Sequence, residues 1–312
     1  MKTTLCKIIP ALIVISLLLT ASCSKDRLND ENPDKSNEYE SLDDFYDQNE
    51  PEEQEFVIDS IGGDTIVAQE GTQIYDVPKE IFMKKSDHSD ITYPYTIKLI
   101  EAYNIKNKIL TKRPGLAQGN VLYSDGNLRF RAFKDADELE LKEHCGLPFS
   151  APCSAPVSST ALYYGFTTGT TDDWNNNVIS AGYLFTNDDV TMIQTNTNGY
   201  AAKTAKMGWV NLARPYTGTA QASFTFEADG NNTQFIDIFI IFNNLKSYVK
   251  VSNMQAINLP FGETVTIFAI AKESSQQMYY FKENYTTGNA IHVILDMNPA
   301  TESEILTLMD TL

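Results

Sequence analysis

The sequence predicts an all-β protein built from two antiparallel β-sandwich-like domains, with one short helix at the C-terminus. Along most of the chain, apolar and polar residues alternate, which is the pattern of strands that bury one face and expose the other. These segments recur about every ten residues between turns that contain Gly, Pro, Asn and Asp, as in β-sandwiches. This spacing leaves no room for the helices of βαβ units, and only the last residues have the periodicity of an amphipathic helix.

The first segment, residues 1–22, predicts a signal peptide. A lysine-containing start precedes an apolar run over residues 8–19, which is too short to span a bilayer. The run ends in the letters LTASC, which resemble the lipobox of bacterial lipoproteins, with Thr20 where the family usually has Leu. The resemblance implies that the mature protein begins at Cys23 and attaches to the membrane through palmitate-type chains on that residue. Ordinary signal-peptidase cleavage before Cys23 is the alternative, and it would leave a soluble protein.

Residues 23–56 predict a lipidated, acidic and disordered linker. Between residues 24 and 55 the chain has 13 acidic and 3 basic residues and hardly any aliphatic ones, so this segment buries too little apolar surface to fold. The acidic letters after Cys23 are similar to the surface-export signal of Bacteroidota lipoproteins. This similarity implies an outer-membrane protein on the cell surface, and a plain linker that faces the periplasm is the alternative.

The overall charge limits the partners of the protein. Asp and Glu number 41 against 24 Lys and Arg, which gives a net charge of −17. Such a chain repels nucleic acids and anionic lipids, so we expect neither as a partner. The expected partners are the membrane, through the lipid anchor, and a glycan or another envelope protein.

The folded body divides into three predicted segments. Residues 57–146 form an N-terminal β-sandwich domain, residues 147–206 a connector and loop-rich region, and residues 207–312 a C-terminal β domain. The alternating segments of the first domain are residues 65–68, 95–102, 127–133 and 138–142, with a hairpin link at 134–137. The connector is rich in Pro, Ser, Thr, Asn and Gly, and we predict one hairpin in it, near residues 179–194.

The C-terminal domain is predicted from further alternating segments and one helix. The segments are residues 221–227, 234–242, 264–271, 277–282 and 290–297. Thr301 and Glu304 have the spacing of a helix capping box. Ile305 and Met309 then lie on one apolar face, which predicts a short closing helix.

Two stretches resemble modules of extracytoplasmic lipoproteins of Bacteroidota. The residues that carry the resemblance are GTQI at 71–74, VPKEIF at 77–82, GWVNLARP at 208–215 and LPFGE at 259–263. The resemblance implies two β-sandwich modules in a cell-surface lipoprotein, and it transfers no catalytic residue. It also implies O-glycosylation at Ser60 and Thr65, because each lies in an Asp-Ser-Ile or Asp-Thr-Ile triplet.

Cys145 and Cys153 are the only cysteines left to the body once the signal peptide is removed and Cys23 is lipidated. In an oxidising compartment, their spacing across a Pro-containing loop predicts a disulfide. A metal site of both cysteines with His144 is the alternative. Structural zinc usually has four ligands and no fourth is apparent, so we predict no metal.

The sequence contains no recognisable catalytic motif. Its histidines, His88, His144 and His292, lack zinc-binding spacing, and no nucleophile elbow, P-loop or dinucleotide fingerprint is present. Asp172 and Asp173 are adjacent, so on a strand they would point to opposite faces instead of facing one glycosidic bond. We therefore predict no catalytic residue, no cofactor and no enzyme.

Trp174 is the centre of the best candidate for a binding site. It is preceded by Asp172 and Asp173, and Tyr163 and Tyr164 could lie beside it. An exposed Trp ringed by polar groups combines stacking with hydrogen bonds to sugar hydroxyls, so these five residues form a candidate glycan platform. The alternative is a Trp that pins a long loop onto the sheet. A calcium site is a further alternative, with oxygen ligands from Asp172, Asp173, Asn175 and Asn177.

These features predict an envelope-anchored lipoprotein that acts as a non-catalytic binding, adhesion or assembly module. One alternative is a glycan-binding surface lipoprotein, which needs Trp174 to be exposed. Another is a pilus-like structural subunit, in which an edge strand is exchanged between chains after removal of an N-terminal strand. An enzyme of unrecognised type is the least favoured.

Overall fold

The structure is a computed structural model that describes residues 39–60, 65–75, 77–166, 173–175, 193–228, 235–273 and 275–312. All of these residues belong to one contact unit. Strands predominate, the helices are short and one of them closes the C-terminus, so the predicted all-β class is confirmed. None of the described helices is long and apolar enough to cross a membrane.

The first β-sandwich comprises the strands up to residue 215. They are β1 (Gln54–Ile58), β2 (Ile66–Val67), β3 (Gln73–Ile74), β4 (Phe82–Lys84), β5 (Tyr95–Ala102), β6 (Leu116–Ala117), β7 (Asn120–Lys134), β8 (Asp137–Leu141), β9 (Leu147–Pro152), β10 (Ala161–Phe166), β11 (Asp173–Asn175), β12 (Ile193–Asn196), β13 (Gly199–Thr204) and β14 (Gly208–Pro215). One sheet has the order β1-β5-β7-β14-β10-β11, with β4, β6 and β8 attached through β7 and β8. The other sheet has the order β12-β13-β9-β3-β2.

An apolar core lies between these two sheets. Along β5, alternate residues Tyr95, Ile97 and Leu99 are buried in it, as the period-two pattern predicts. Phe130 of β7 and Phe149 of β9 approach from opposite sheets, with their ring centroids 5.0 Å apart. The link between β7 and β8 is the predicted hairpin connection.

The second β-sandwich comprises the remaining strands. They are β15 (Gln221–Ala228), β16 (Phe235–Phe242), β17 (Ser247–Lys250), β18 (Gln255–Pro260), β19 (Thr264–Lys272), β20 (Met278–Thr286), β21 (Ile291–Leu295) and β22 (Asn298–Ala300). Its sheets have the orders β18-β15-β21 and β17-β16-β19-β20-β22. Phe224 and Val293 of the first sheet pack with Ile240 and Ile267 of the second. β21 pairs with β15 in parallel, whereas the other described strand pairs are antiparallel.

Three helices of the described chain cover the outer face of the larger sheet of the second sandwich. They are α1 (Leu42–Gln48), α2 (Ile105–Leu110) and α3 (Glu302–Met309). Phe239 of β16 and Phe268 of β19 belong to the apolar cluster that these helices form with the sheet. The central strands are therefore buried on both faces, which explains the nearly continuous apolar letters FIDIFIIF of β16. The predicted capping box of Thr301 and Glu304 begins α3 and is confirmed.

The predicted disordered linker, residues 23–56, is wrong in its last part. Residues 39–56 include α1 and the start of β1, while residues 23–38 lie outside the described residues. Ser41 caps α1 by accepting a hydrogen bond from the Asp44 backbone at 3.1 Å. The acidic composition concealed four apolar side chains, which are buried against the second sandwich; they are Tyr39, Leu42, Phe45 and Tyr46.

The predicted connector, residues 147–206, is also wrong, because strands β9 to β13 of the first sandwich lie within it. The C-terminal domain does not start at residue 207 either, since β14 pairs with β7 along its whole length. In β9 the small and Pro residues resemble a loop, yet Leu147, Phe149 and Ala151 alternate into the core. The hairpin predicted near residues 179–194 falls almost wholly outside the described residues.

Candidate ligand-binding cleft

The predicted disulfide is not formed, because Cys145 and Cys153 are free cysteines. The six residues of β9 run between them. A strand of that length is about 16 Å long, whereas bridged cysteines have Cα atoms within about 7 Å. The alternative metal site with His144 fails for the same reason. Among the described residues, no cluster of His, Cys, Asp and Glu is arranged to hold a metal ion.

The predicted glycan platform is wrong, because Trp174 is only 2% exposed and Tyr163 and Tyr164 are also buried. The Trp174 indole packs with Trp209 and donates a hydrogen bond to the Pro114 carbonyl oxygen at 2.8 Å. The alternative interpretation, a Trp that pins its segment onto the sheet, fits this position. The side chains of Asp172 and Asp173 lie outside the described residues, and so does most of the alternative calcium site.

Other singled-out residues are placed without a test of their predicted role. Ser60 and Thr65 are exposed, so an enzyme could reach both hydroxyls, and their glycosylation stays a prediction. Cys23 lies outside the described residues. His292 is exposed on β21, where its Nδ1 is 3.1 Å from the Thr225 hydroxyl oxygen.

A cleft of about 280 Å³ lies on the smaller sheet of the first sandwich, where β3, β9 and β13 are neighbours. This volume is just below the roughly 300–1,000 Å³ of typical small-molecule sites. Small residues make up part of its lining. The hydrogen-bonding side chains of the lining are Gln73, Tyr75, Ser150, Asn196, Asn198 and Tyr200. The described residues of the lining include no Asp, Glu, His, Lys, Arg or Cys.

Three of these side chains form a directed chain of hydrogen bonds. The Tyr75 hydroxyl donates to Gln73 Oε1 at 2.8 Å and lies 2.6 Å from Ser150 Oγ. A phenol has one proton, so Ser150 donates to Tyr75 and Tyr75 donates to Gln73. The Gln73 amide oxygen therefore accepts the hydrogen bond of Tyr75, which fixes the orientation of the amide. Its NH₂ group donates to no residue that the structure describes and is available to a ligand.

A tight hairpin forms one side of the cleft. β12 and β13 are joined at Asn196 and Gly199 by a two-residue loop. Asn196 Oδ1 accepts a hydrogen bond from the Asn198 backbone at 2.8 Å, which fixes the loop. Gly199 has φ +143°, and a Cβ there would collide with the Ala151 carbonyl oxygen of β9. Only glycine therefore allows the hairpin to approach β9 closely enough to form this side.

Tyr200 connects the cleft to a charged cluster behind it. The residue is buried, and its hydroxyl donates to Asp125 Oδ2 at 2.7 Å. Burial raises the pKa of Tyr200 to about 12, so the phenol keeps its proton at neutral pH. Asp125 also accepts from Arg214 at 3.3 Å and from Lys246 at 3.2 Å. The hydroxyl of Tyr200 is thus fixed by its hydrogen bond to Asp125, a carboxylate that also forms ion pairs with Arg214 and Lys246.

We call this charged cluster the junction and define it as Lys108, Ser124, Asp125, Arg214 and Lys246. Lys108 of α2 is 1% exposed. Its ammonium donates to Ser124 O at 2.8 Å, to Ser124 Oγ at 3.1 Å and to Lys246 O at 2.7 Å. Burial lowers the pKa of Lys108 to about 7, although Asp125 opposes this effect. The junction joins β7 of the first sandwich to the turn before β17 of the second.

Sequence analysis missed the cleft residues, although part of the signal was present. Gln73 and Tyr75 are two residues apart, so on a strand they share a face. Asn198-Gly199 is a common turn pair of β-hairpins. Nothing in the letters indicates that these two segments meet beside Ser150, because that contact depends on the order of strands in the sheet.

Comparison with known proteins identifies no relative. No family model matches the chain, and no curated protein or solved structure matches it. The interpretation of the cleft therefore rests on its own geometry and chemistry.

Proposed function

We propose that this protein is an envelope-anchored lipoprotein of the outer membrane, displayed on the cell surface, whose folded body is a non-catalytic binding module. The signal-peptide pattern and the LTASC letters before and at Cys23 support the anchor. The cleft on the first sandwich is the proposed ligand site.

The composition of the cleft is the observation that carries the binding role. Its lining combines neutral hydrogen-bonding side chains with a half-buried aromatic ring, that of Tyr75. Such groups orient a ligand and determine its specificity. General acid–base and nucleophilic catalysis would need a group such as His, Asp, Glu, Lys or Cys to accept a proton from Ser150 or a tyrosine, and no such group is among the described residues that line the cleft. The lining therefore suits recognition better than chemistry.

The first described helix, α1, does not cover the cleft. The described chain begins at Tyr39 and continues into α1, which packs on the second sandwich. The cleft lies on the first sandwich, between strands that make no part of that apolar layer. A ligand can therefore reach the cleft without displacing α1.

Two measurements test this proposal. Metabolic labelling with a palmitate analogue should mark the wild-type protein in the outer-membrane fraction and should not mark the Cys23→Ser variant. In a thermal-shift screen of saccharides, peptides and nucleosides, at least one class should raise the Tm of the wild type. The same compounds should not raise the Tm of Gln73→Ala. An unlabelled cytosolic protein would contradict the anchor, and a screen without any shift would contradict the binding role.

An assembly subunit is the second candidate, and the position of β1 favours it. β1 is an edge strand that pairs only with β5 among the described strands. Phe56 and Ile58 pack against the first core, while Val57 is 69% exposed. Removal of β1 would open an apolar groove that a strand from another copy could fill.

Cleavage near β1 tests the assembly candidate. A specific protease site inserted after Ile58, the last residue of β1, allows the whole strand to be cut from the body. If strand exchange occurs, the digested protein should form a ladder of oligomers on size-exclusion chromatography with light scattering. A digested protein that stays monomeric would exclude this candidate.

A further inference from the structure

We infer that the cleft binds an uncharged sugar unit of a glycan and discriminates against sugars that carry a carboxylate, sulfate or phosphate group. This inference rests on the binding role proposed above and adds the class of ligand. It depends on three features of the cleft, which are its paired donors and acceptors, its aromatic ring and the absence of cations among its described lining residues.

The hydrogen-bond chain presents donors beside acceptors. Because Ser150 donates its proton to Tyr75, the remaining lone pairs of Ser150 Oγ can only accept. Because Gln73 Oε1 accepts from Tyr75, the two N–H groups of the same amide remain as donors. A sugar hydroxyl both donates and accepts, so neighbouring hydroxyls can bond to Gln73 and Ser150 together. A ligand with acceptors alone would leave the lone pairs of Ser150 without a donor.

The amides of the hairpin extend the same pattern. Asn196 and Asn198 are exposed at the cleft, and each side chain carries two donors and one acceptor oxygen. The Asn198 side chain makes no hydrogen bond to the part of the chain that the structure describes. These amides are therefore in a position to bond to hydroxyls at the outer end of the sugar unit.

Tyr75 provides the apolar surface that a sugar ring requires. Its ring is half-buried, and its hydroxyl is held on both sides, by Gln73 and by Ser150. The ring orientation is thus fixed before a ligand arrives, which lowers the entropy lost on binding. An aromatic face beside fixed polar groups matches a sugar, which has C–H groups on its faces and hydroxyls around its rim.

The charge around the cleft argues against acidic sugars. Among the residues that the structure describes, no Lys, Arg or His lines the cleft. Arg214 and Lys246 are engaged with Asp125, which accepts a hydrogen bond from buried Tyr200. Lys203 of β13 pairs with Pro148 of β9 and is not among the described lining residues. An anionic group in the cleft would lose hydration without gaining a countercharge, and the net charge of −17 adds long-range repulsion.

Matched pairs of glycans test the inference with the purified full-length chain. Each pair consists of a neutral oligosaccharide and its counterpart with a uronic acid, sialic acid or sulfate at the terminal unit, printed on one array. We expect the neutral member to bind at least 10-fold more strongly. Gln73→Ala should weaken binding by about 10-fold, or roughly 1.4 kcal/mol, through the loss of both amide donors.

Gln194→Ala is the matched control, because Gln194 is exposed on the neighbouring strand β12 and does not line the cleft. It should bind like the wild type, and all variants should keep the Tm of the wild type. Equal or stronger binding of the acidic members would overturn the inference and leave the binding role intact. Binding of a ligand that depends on Gln73 but is not a saccharide would have the same consequence. Absence of any ligand that depends on Gln73 would overturn both.

Discussion

The cleft and the junction are both clusters of polar side chains, and Tyr200 of the cleft donates a hydrogen bond to Asp125 of the junction. The two clusters differ in how many of their donors and acceptors have a hydrogen-bond partner. In the junction, Lys108 is buried and all three protons of its ammonium are engaged. In the cleft, the groups are neutral, all but buried Tyr200 are accessible, and the NH₂ group of Gln73 is available. A buried and saturated cluster holds elements together, whereas accessible and unsaturated groups are able to recognise a ligand.

The largest expected effect is on stability, at the junction. Lys108→Met should lower the free energy of unfolding by about 3 kcal/mol at pH 7, because buried acceptors on Ser124 and Lys246 lose their donor. Denaturant unfolding measures this loss. Lys106→Met is the control on the same helix, since Lys106 makes an exposed ion pair with Asp310 at 2.8 Å, and it should cost less than about 1 kcal/mol. Equal losses of unfolding free energy in the two variants would contradict the claim that the junction stabilises the fold more than a surface ion pair does.

The pH dependence of stability sharpens the same comparison. The pKa of Lys108 is lowered to about 7 in the folded state from an ordinary value of 10.5. Between these values the unfolded chain binds the extra proton, so raising the pH stabilises the folded state. The unfolding free energy of wild type minus that of Lys108→Met should therefore increase by about 2 kcal/mol from pH 7 to pH 9. A constant difference over this range would show that Lys108 keeps an ordinary pKa.

A smaller loss is expected from Asp125→Asn. The amide still accepts a hydrogen bond from Tyr200, but the attraction to Arg214 and Lys246 disappears. Because Lys246 is half-exposed, we expect a loss of about 1.5 kcal/mol in unfolding free energy. Glycan binding should be unchanged if the junction is only structural. A change in affinity larger than the change in stability would mean that the junction also sets the geometry of the cleft.

The smallest effect on stability is expected in the cleft. Tyr75→Phe keeps the ring and removes the hydroxyl between Gln73 and Ser150, so it should cost about 0.5 kcal/mol or less of stability. The matched change at a buried site is Tyr46→Phe, which removes a bond of 2.9 Å to Asp237 and should cost about 1–2 kcal/mol. Chemical denaturation of both variants compares the sites directly. A cleft variant as costly as the buried one would contradict the claim that the cleft is built for a ligand.

Sequence reasoning predicted the strands that alternate strictly and end in turn residues. β5 and β15 lie where the alternation placed them, because the periodicity is the direct result of burying one face. β19 also lies where it was predicted, although it is buried on both faces. Sequence reasoning failed where composition concealed the pattern. Four apolar residues were hidden among acids before and within α1, and β9 contains two prolines and a serine that resemble a loop.

The candidate site could not be predicted, because it is formed by contacts between distant segments. Trp174 was selected for its polar neighbours in sequence, but in the fold Gly165 lies opposite it and makes room for its ring against the sheet. In the sequence, Lys108 resembles a solvated lysine of a helix, and the neighbouring residues do not indicate that it is buried. Local patterns report which face of an element is apolar, and they do not report which elements meet.

The parallel pairing of β21 with β15 affects how the chain can fold as it is made. Synthesis proceeds from the N-terminus, so every described strand of the first sandwich has been made once residue 215 has emerged. The second lacks an edge of its smaller sheet until β21 appears close to the end of the chain. α1 is made early, yet the sheet on which it packs is completed late. The apolar face of α1 therefore stays exposed during most of synthesis, and a chaperone could bind to it at that stage.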